Sequence, residues 1–216
     1  MDAHVQFNAS MLLIVIFAYA IGSVPTAVWM GKWFKGIDVR EHGSGNAGAT
    51  NAMRVLGPKI GLLVLLIDAL KGVAAVSLAQ YVRSGFATEE VFVVFQLLLG
   101  AVVITGHVLP VFASFKGGKG IATLVGIIIV LFPEAFLVCL VVFLSVFLTT
   151  KYVSLASMVS AIALPITVIF IKDAIVLPKI IFAVSVALFV PIVHVNNIKR
   201  LIQGSENRIT FKKKAE

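Results

Sequence analysis

IATLVGIIIVLFPEAFLVCLVVFLSVFLT, residues 121–149, is an apolar run of 29 residues interrupted by Pro133-Glu134, and its reading decides the fold. As one helix rising 1.5 Å per residue it would exceed a hydrocarbon layer of roughly 30 Å by about half. A proline in a helix interior removes a hydrogen bond and clashes with the preceding turn, so a break at Pro133 gives two short spans instead. Working outward, further apolar runs cover about Met11–Met30, Ile60–Val82, Val91–Ala113, Tyr152–Ile171 and Ile180–Val195. No Lys or Arg precedes Met11, so the first run reads as a span and not as the core of a cleavable leader.

Charge placement favours the split. With seven spans, one side of the membrane collects Lys32, Lys35, Arg40, Arg54, Lys59, Lys116, Lys119, Lys151, Lys199, Arg200, Arg208 and Lys212–Lys214. Only Arg83, Lys172 and Lys179 fall on the other, and basic residues near span ends concentrate on the cytoplasmic side. A single long helix would carry the Lys151 loop and the basic tail across the membrane and destroy that asymmetry. The expectation is an all-α polytopic integral membrane protein of seven transmembrane helices, with the N-terminus outside and the C-terminus cytoplasmic, forming one membrane-embedded domain over residues 1–216.

Composition excludes the soluble classes. Of 216 residues, 60% are hydrophobic and 13% charged, about half the charged share of a water-soluble domain. The net charge of +8 flanks apolar runs, where anionic headgroups account for it and nucleic acid is not needed as a partner. The one cysteine, Cys139, lies within an apolar run, so neither a disulfide framework nor a CxxC site exists. Asp68 and Lys71 are three positions apart inside the second span, on one helical face, and are expected to face protein or water and neutralise each other.

The unusual polar residues gather in three segments that this topology puts on one face. The first is GSGNAGATNAMR, residues 43–54. Its glycines permit tight turns that expose N–H groups, and Ser44 or Asn46 can cap the following helix. Thr50, Asn51 and Arg54 add neutral donors and one charged fork suited to phosphate. The second is GHVLPVFASFKGGKGIAT, residues 106–123, in which Lys116-Gly117-Gly118-Lys119-Gly120 brings two ammonium groups onto an exposed backbone, a loop for phosphate. It is not a Walker A loop, since Gly120 follows Lys119 where Ser or Thr is required.

The third segment is HVNNIKRLIQGSE, residues 194–206. Asn197 can orient by hydrogen bonds, Arg200 can neutralise an anion, and Glu206 can lock a basic side chain by an ion pair. His107 and His194 stand at span ends, where a histidine can hold phosphate or take a proton. Ser154 and Ser157 share a helical face, suited to packing or to substrate hydrogen bonds. No cysteine partner or HExxH pattern supports a metal, and no GxSxG elbow supports an acyl-serine intermediate. A phosphate or anion transporter is the alternative from another class, but it calls for midplane binding groups and pseudo-repeats. A structural, lipid-holding subunit would leave the crowded Gly-Lys and Asn-Arg motifs unexplained.

These three segments, with Asp68-Ala69-Leu70-Lys71-Gly72 and Tyr152-Val153-Ser154-Leu155-Ala156-Ser157 between them, resemble the bacterial acyl-phosphate:glycerol-3-phosphate acyltransferase family over nearly the whole chain. The resemblance implies transfer of a fatty acyl group from acyl phosphate to the 1-hydroxyl of glycerol 3-phosphate at the cytoplasmic face of a bacterial inner membrane, with lysophosphatidic acid as product. No cofactor is implied, and a monomer is expected. Ser44, Arg54, Lys119, His194 and Asn197 take the catalytic positions. Asn46, Thr50, Asn51, His107, Lys116, Gly117, Gly118, Gly120, Ser154, Ser157, Arg200 and Glu206 take the binding positions. Ala47 and Val108 stand where relatives often carry proline and asparagine, and neither change removes an expected charge or donor.

Overall fold

A computed structural model describes residues 8–170 and 176–209, so Lys172 and the basic residues Lys212, Lys213 and Lys214 lie outside the described residues. The ten α-helices among them are α1 (Ala9–Ser23), α2 (Thr26–Lys35), α3 (Ala49–Leu56), α4 (Pro58–Ser77), α5 (Glu89–Val108), α6 (Ile121–Leu131), α7 (Pro133–Thr150), α8 (Val153–Phe170), α9 (Val176–Val193) and α10 (Val195–Ile202). They fall into two compact units, residues 1–133 and 134–216.

In the first unit α4 is the central helix and packs against α1, α2, α3, α5 and α6. Its buried positions Gly61, Val64, Asp68, Lys71, Gly72, Ala75 and Val76 recur every three or four residues, which makes one stripe face protein. Leu62, Leu63, Leu66 and Leu70 on the other side are exposed, as a surface solvated by lipid allows. Helices α4 and α6 approach closely: a Cβ at Gly72 would strike the Thr123 carbonyl, and one at Gly126 the Ala69 carbonyl. In the second unit α8 packs against α9, and Ser160 Oγ donates to the Cys139 carbonyl at 2.8 Å, tying α8 to α7. Helix α7 buries only Ala135 and Cys139, consistent with a mostly lipid-facing surface.

The seven-span expectation is corrected by helix length. Four segments among the described residues are long and apolar enough to cross: Pro58–Gly85, Glu89–Ala113, Pro133–Thr150 and Val153–Phe170. Two bent pairs, Ala9–Ser23 with Thr26–Lys35 and Leu177–Val193 with Val195–Ile202, raise the number to six if each is one span. The chain does break at Pro133, but the 11 residues of α6 reach only about 16 Å, roughly half the hydrocarbon thickness. With no seventh full-length span among the described residues, the parity argument that put the N-terminus outside and the C-terminus in the cytoplasm loses its premise.

The bend between α1 and α2 has a local cause. Pro25 has no N–H to offer the Ile21 carbonyl four residues earlier, so the helical ladder stops, and the Val24 carbonyl accepts the Thr26 N–H at 3.0 Å. Lys71 Nζ, from α4, is a second donor to that carbonyl at 2.5 Å. The Lys71 ammonium also meets Asp68 Oδ1 at 2.6 Å, and Thr26 Oγ1 donates to the same carboxylate oxygen at 2.8 Å. Asp68 and Lys71 therefore form a buried ion pair that also satisfies the broken helix.

Candidate active site

The loop before α3 is built around one buried amide. Asn51 Nδ2 donates to the carbonyls of Val39 (2.8 Å) and His42 (3.0 Å), while its Oδ1 accepts the Ser44 N–H at 2.8 Å. The loop reverses at Gly43, and a Cβ there would strike Asn51 Oδ1. Asn51 thus fixes the loop from within, whereas Ser44, Asn46 and Thr50 are half-buried and Arg54 is exposed. The N-cap of α3 is Gly48, with no side-chain capping bond, in place of the expected Ser44 or Asn46. Lys35 Nζ closes the other end of α3 by donating to the Val55 carbonyl at 2.7 Å.

The second segment folds back on the end of α5. The Gly117 N–H donates to the Val108 carbonyl at 3.1 Å and the Gly118 N–H to the His107 carbonyl at 3.2 Å. Gly120 has φ +76, a left-handed conformation that disfavours a side chain, and from it α6 begins. At Gly118 a Cβ would strike His107 Nε2 and come to 3.1 Å from the Ala47 carbonyl, so this residue is where the two loops touch. Lys116 is exposed and Lys119 half-buried.

Arg40 joins the same two loops, although its sequence position does not single it out as a site residue. Its Nη1 donates to the carbonyls of Ala113 (3.0 Å) and Lys116 (3.2 Å). Asp38 holds the guanidinium in place through Nε (3.0 Å) and Nη2 (2.6 Å). The hydrogen bond from Arg40 in turn keeps the Asp38 carboxyl below the usual carboxylate range, more than offsetting its partial burial. The available signal was an Asp and an Arg two residues apart in a glycine-rich loop.

In the second unit, Glu206 collects donors from two helices. Ser154 Oγ donates to Oε1 at 2.8 Å, Asn197 Nδ2 to Oε1 at 2.6 Å, and Arg200 Nε to Oε2 at 2.7 Å. Burial pushes this carboxyl upward, and the bonds from Arg200, Asn197 and Ser154 outweigh that and hold it below its usual range. His194 stands at the break between α9 and α10, 3% exposed. Its Nδ1 lies 2.8 Å from the Val190 carbonyl, which can only accept, so Nδ1 carries a proton. Ser157 is buried one turn beyond Ser154. The segment after α10 is tied back by the Ile209 N–H to the Lys151 carbonyl (3.0 Å) and by Arg208 Nε to the Tyr152 hydroxyl (3.0 Å).

The first two sequence segments therefore meet within the first unit, and the third joins Ser154 within the second. Chemically, the first unit presents lysines and an arginine on glycine loops, an arrangement for phosphate. The second presents a histidine near a carboxylate-organised Asn and Arg. Among the described residues, no group of three or more His, Cys, Asp or Glu side chains is placed to hold a metal ion.

Comparison with known proteins agrees with that chemistry. Residues 12–204 match the family model described as glycerol-3-phosphate acyltransferase. The chain is 45% identical to the glycerol-3-phosphate acyltransferase of Fusobacterium nucleatum, covering 91% of this chain and 97% of that protein. It is 41% identical to the enzyme of that name from Chlorobium phaeovibrioides, covering 95% and 99%. Among solved structures, the crystal structure of PlsY (YgiH), an integral membrane glycerol 3-phosphate acyltransferase in its glycerol 3-phosphate form, superposes with a TM-score of 0.80 at 35% identity over 94% of this chain and 96% of that one. Its lysophosphatidic acid form gives 0.79.

Proposed function

Because this chain belongs to the glycerol-3-phosphate acyltransferase family, we propose that its glycine-lysine loops and its His194 carry that reaction. The protein is a multi-pass enzyme of the bacterial inner membrane that transfers a fatty acyl group from acyl phosphate to glycerol 3-phosphate. A lysophosphatidic acid and inorganic phosphate are formed. The 1-hydroxyl oxygen attacks the acyl carbonyl, the new ester C–O bond forms, and the bond from that carbon to the phosphate oxygen breaks, phosphate leaving with the electron pair.

Phosphate is already a good leaving group, so positioning and charge neutralisation dominate the catalysis. Lys116, Lys119 and Arg54 neutralise phosphate, and Ser44, Asn46 and Thr50 supply neutral donors to it. Gly117, Gly118 and Gly120 let the backbone approach. In the second unit His194 Nε2 takes the hydroxyl proton, and Asn197 and Arg200, held by Glu206 with Ser154, orient and neutralise anionic oxygens. A substrate phosphate oxygen is the competing proton acceptor, and a pH profile of His194→Gln separates the two: loss of the acidic limb assigns the proton to His194. The face bearing the motifs is the cytoplasmic one, as the basic residues Lys32, Lys35, Arg40, Arg54, Lys59, Lys116 and Lys119 at the ends of α2, α3, α4 and α5 favour. We keep residues 1–216 as one acyltransferase domain acting as a monomer.

The observation that carries this reading is the doubled-lysine loop docked on the Gly43–Gly48 loop through Arg40 and Gly118. Purified protein in lipid, given radiolabelled glycerol 3-phosphate with acyl phosphate or acyl-CoA, tests it. Labelled lysophosphatidic acid from acyl phosphate alone is expected. Uptake of glycerol 3-phosphate into sealed vesicles without acylated product would overturn the enzyme reading in favour of transport.

A further inference from the structure

The buried ion pair Asp68–Lys71 and the histidine beside it have no part in the chemistry above, yet they lie directly beneath the phosphate loop. His107 is 7% exposed, at the last turn of α5. Its Nδ1 shares a hydrogen bond with Thr123 Oγ1 at 3.3 Å and stands 3.9 Å from Asp68 Oδ1. Thr123 is in the first turn of α6, immediately after the loop, and is fully buried. On its other edge the imidazole Nε2 abuts the Gly118 backbone closely enough to exclude any Cβ there, and the His107 carbonyl accepts the Gly118 N–H. Thr123 of α6 thus anchors the ring on one side, next to the ion pair, and the ring abuts the loop on the other.

The ion pair is equally constrained. Lys71 also engages the Val24 carbonyl at the α1–α2 bend, and Thr26 also engages Asp68. A buried pair of this kind contributes little net stability compared with apolar packing, and its bonds here run to the α1–α2 bend and toward the loop. We propose that Asp68 and Lys71 are positioning residues that act through His107 to fix the Gly117–Gly118 turn, and with it the Lys116 and Lys119 ammonium groups. Charge in the loop binds phosphate only when the backbone between the two lysines keeps one geometry, and a displacement of an ångström at such a site is costly. In this proposal His107 acts through the loop, and Thr123 is its second anchor. This inference rests on the reading that the loop holds phosphate.

The test is a kinetic cycle in lipid-reconstituted enzyme, with thermal unfolding measured on each variant. His107→Leu and the charge-free double variant Asp68→Asn/Lys71→Met are each expected to raise the KM for glycerol 3-phosphate about tenfold, with kcat changed less than about threefold. His107→Asn, which keeps a polar atom near the Nδ1 position, is expected to recover most of the loss. Combined, His107→Leu on the Asp68→Asn/Lys71→Met background should add nothing further, because both act along one path. Multiplied effects, an unchanged KM in His107→Leu, or equal losses in His107→Leu and His107→Asn would each overturn the proposal. If the double variant does not fold, Thr123→Val takes its place in the cycle with the same expectations. Lys119→Ala is run alongside: its loss of activity with a normal KM in His107→Leu overturns this inference alone, whereas full activity in Lys119→Ala overturns the phosphate-loop reading beneath it.

Discussion

The two units set up their polar residues in opposite ways. In the first, the backbone does the organising: Gly117 and Gly118 donate to α5 carbonyls, and Asn51 and Arg40 bond to carbonyls of the two loops. In the second, one carboxylate does it: Glu206 gathers Ser154, Asn197 and Arg200. A backbone-built frame tolerates loss of its charged tips but not of its glycines. A frame organised by a single carboxylate is sensitive to the charge at its centre.

That contrast predicts how each unit breaks. The largest effect is expected for Lys119→Ala and Arg54→Ala, which remove charge from phosphate and should lower kcat/KM by about a thousandfold or more while the unfolding temperature stays put. A parallel fall in both activity and unfolding temperature would mean that the lysines hold the frame together. Next comes Gly118→Ala, whose Cβ strikes His107 Nε2 and crowds the Ala47 carbonyl. Activity should fall about a hundredfold with all loop charges intact, and wild-type kinetics in this variant would show that the backbone geometry is not what matters.

In the second unit Glu206→Gln should reduce activity by roughly tenfold and cost about 1–3 kcal/mol of stability through weakened charge-assisted bonds. The pH dependence has a definite sign. The folded Glu206 carboxyl titrates below its ordinary value of 4.5, so its stabilisation is complete above that value and disappears as pH falls through the lowered folded one. The gap in unfolding temperature between wild type and Glu206→Gln should therefore be widest near neutrality and close on acidification, as a melting series at stepped pH would record. Smallest of all is Arg83→Ala. Arg83 pairs with Glu89 at an exposed position outside both clusters, and this substitution should leave kinetics within about twofold and the unfolding temperature nearly unchanged.

Much of this contrast was legible in the sequence, for a physical reason. Polar and glycine-rich segments stand out against an apolar background, so the three loops declare themselves, and the spacing of Asp68 and Lys71 predicts the ion pair that the structure shows. The span count was less legible. Hydropathy registers apolar length but not where a helix bends, and the breaks at Val24-Pro25 and His194, with the shortness of α6, turned seven expected spans into four to six. Partners distant in sequence were illegible as well. Nothing local to Arg40 points to the Ala113 and Lys116 carbonyls, nothing near Lys71 points to the Val24 carbonyl 47 residues earlier, and Ser154 meets Glu206 across 52 residues. The N-cap of α3 went to Gly48 because Asn51, not Ser44 or Asn46, organises the preceding turn.

The central claim is that the loop Lys116–Lys119 holds substrate phosphate. Calorimetric titration of glycerol 3-phosphate into reconstituted wild type and Lys116→Ala/Lys119→Ala, without acyl donor, addresses it directly. Measurable binding to the wild type and none to the double variant, at the same unfolding temperature, is expected. Equal affinity in the two proteins would contradict it.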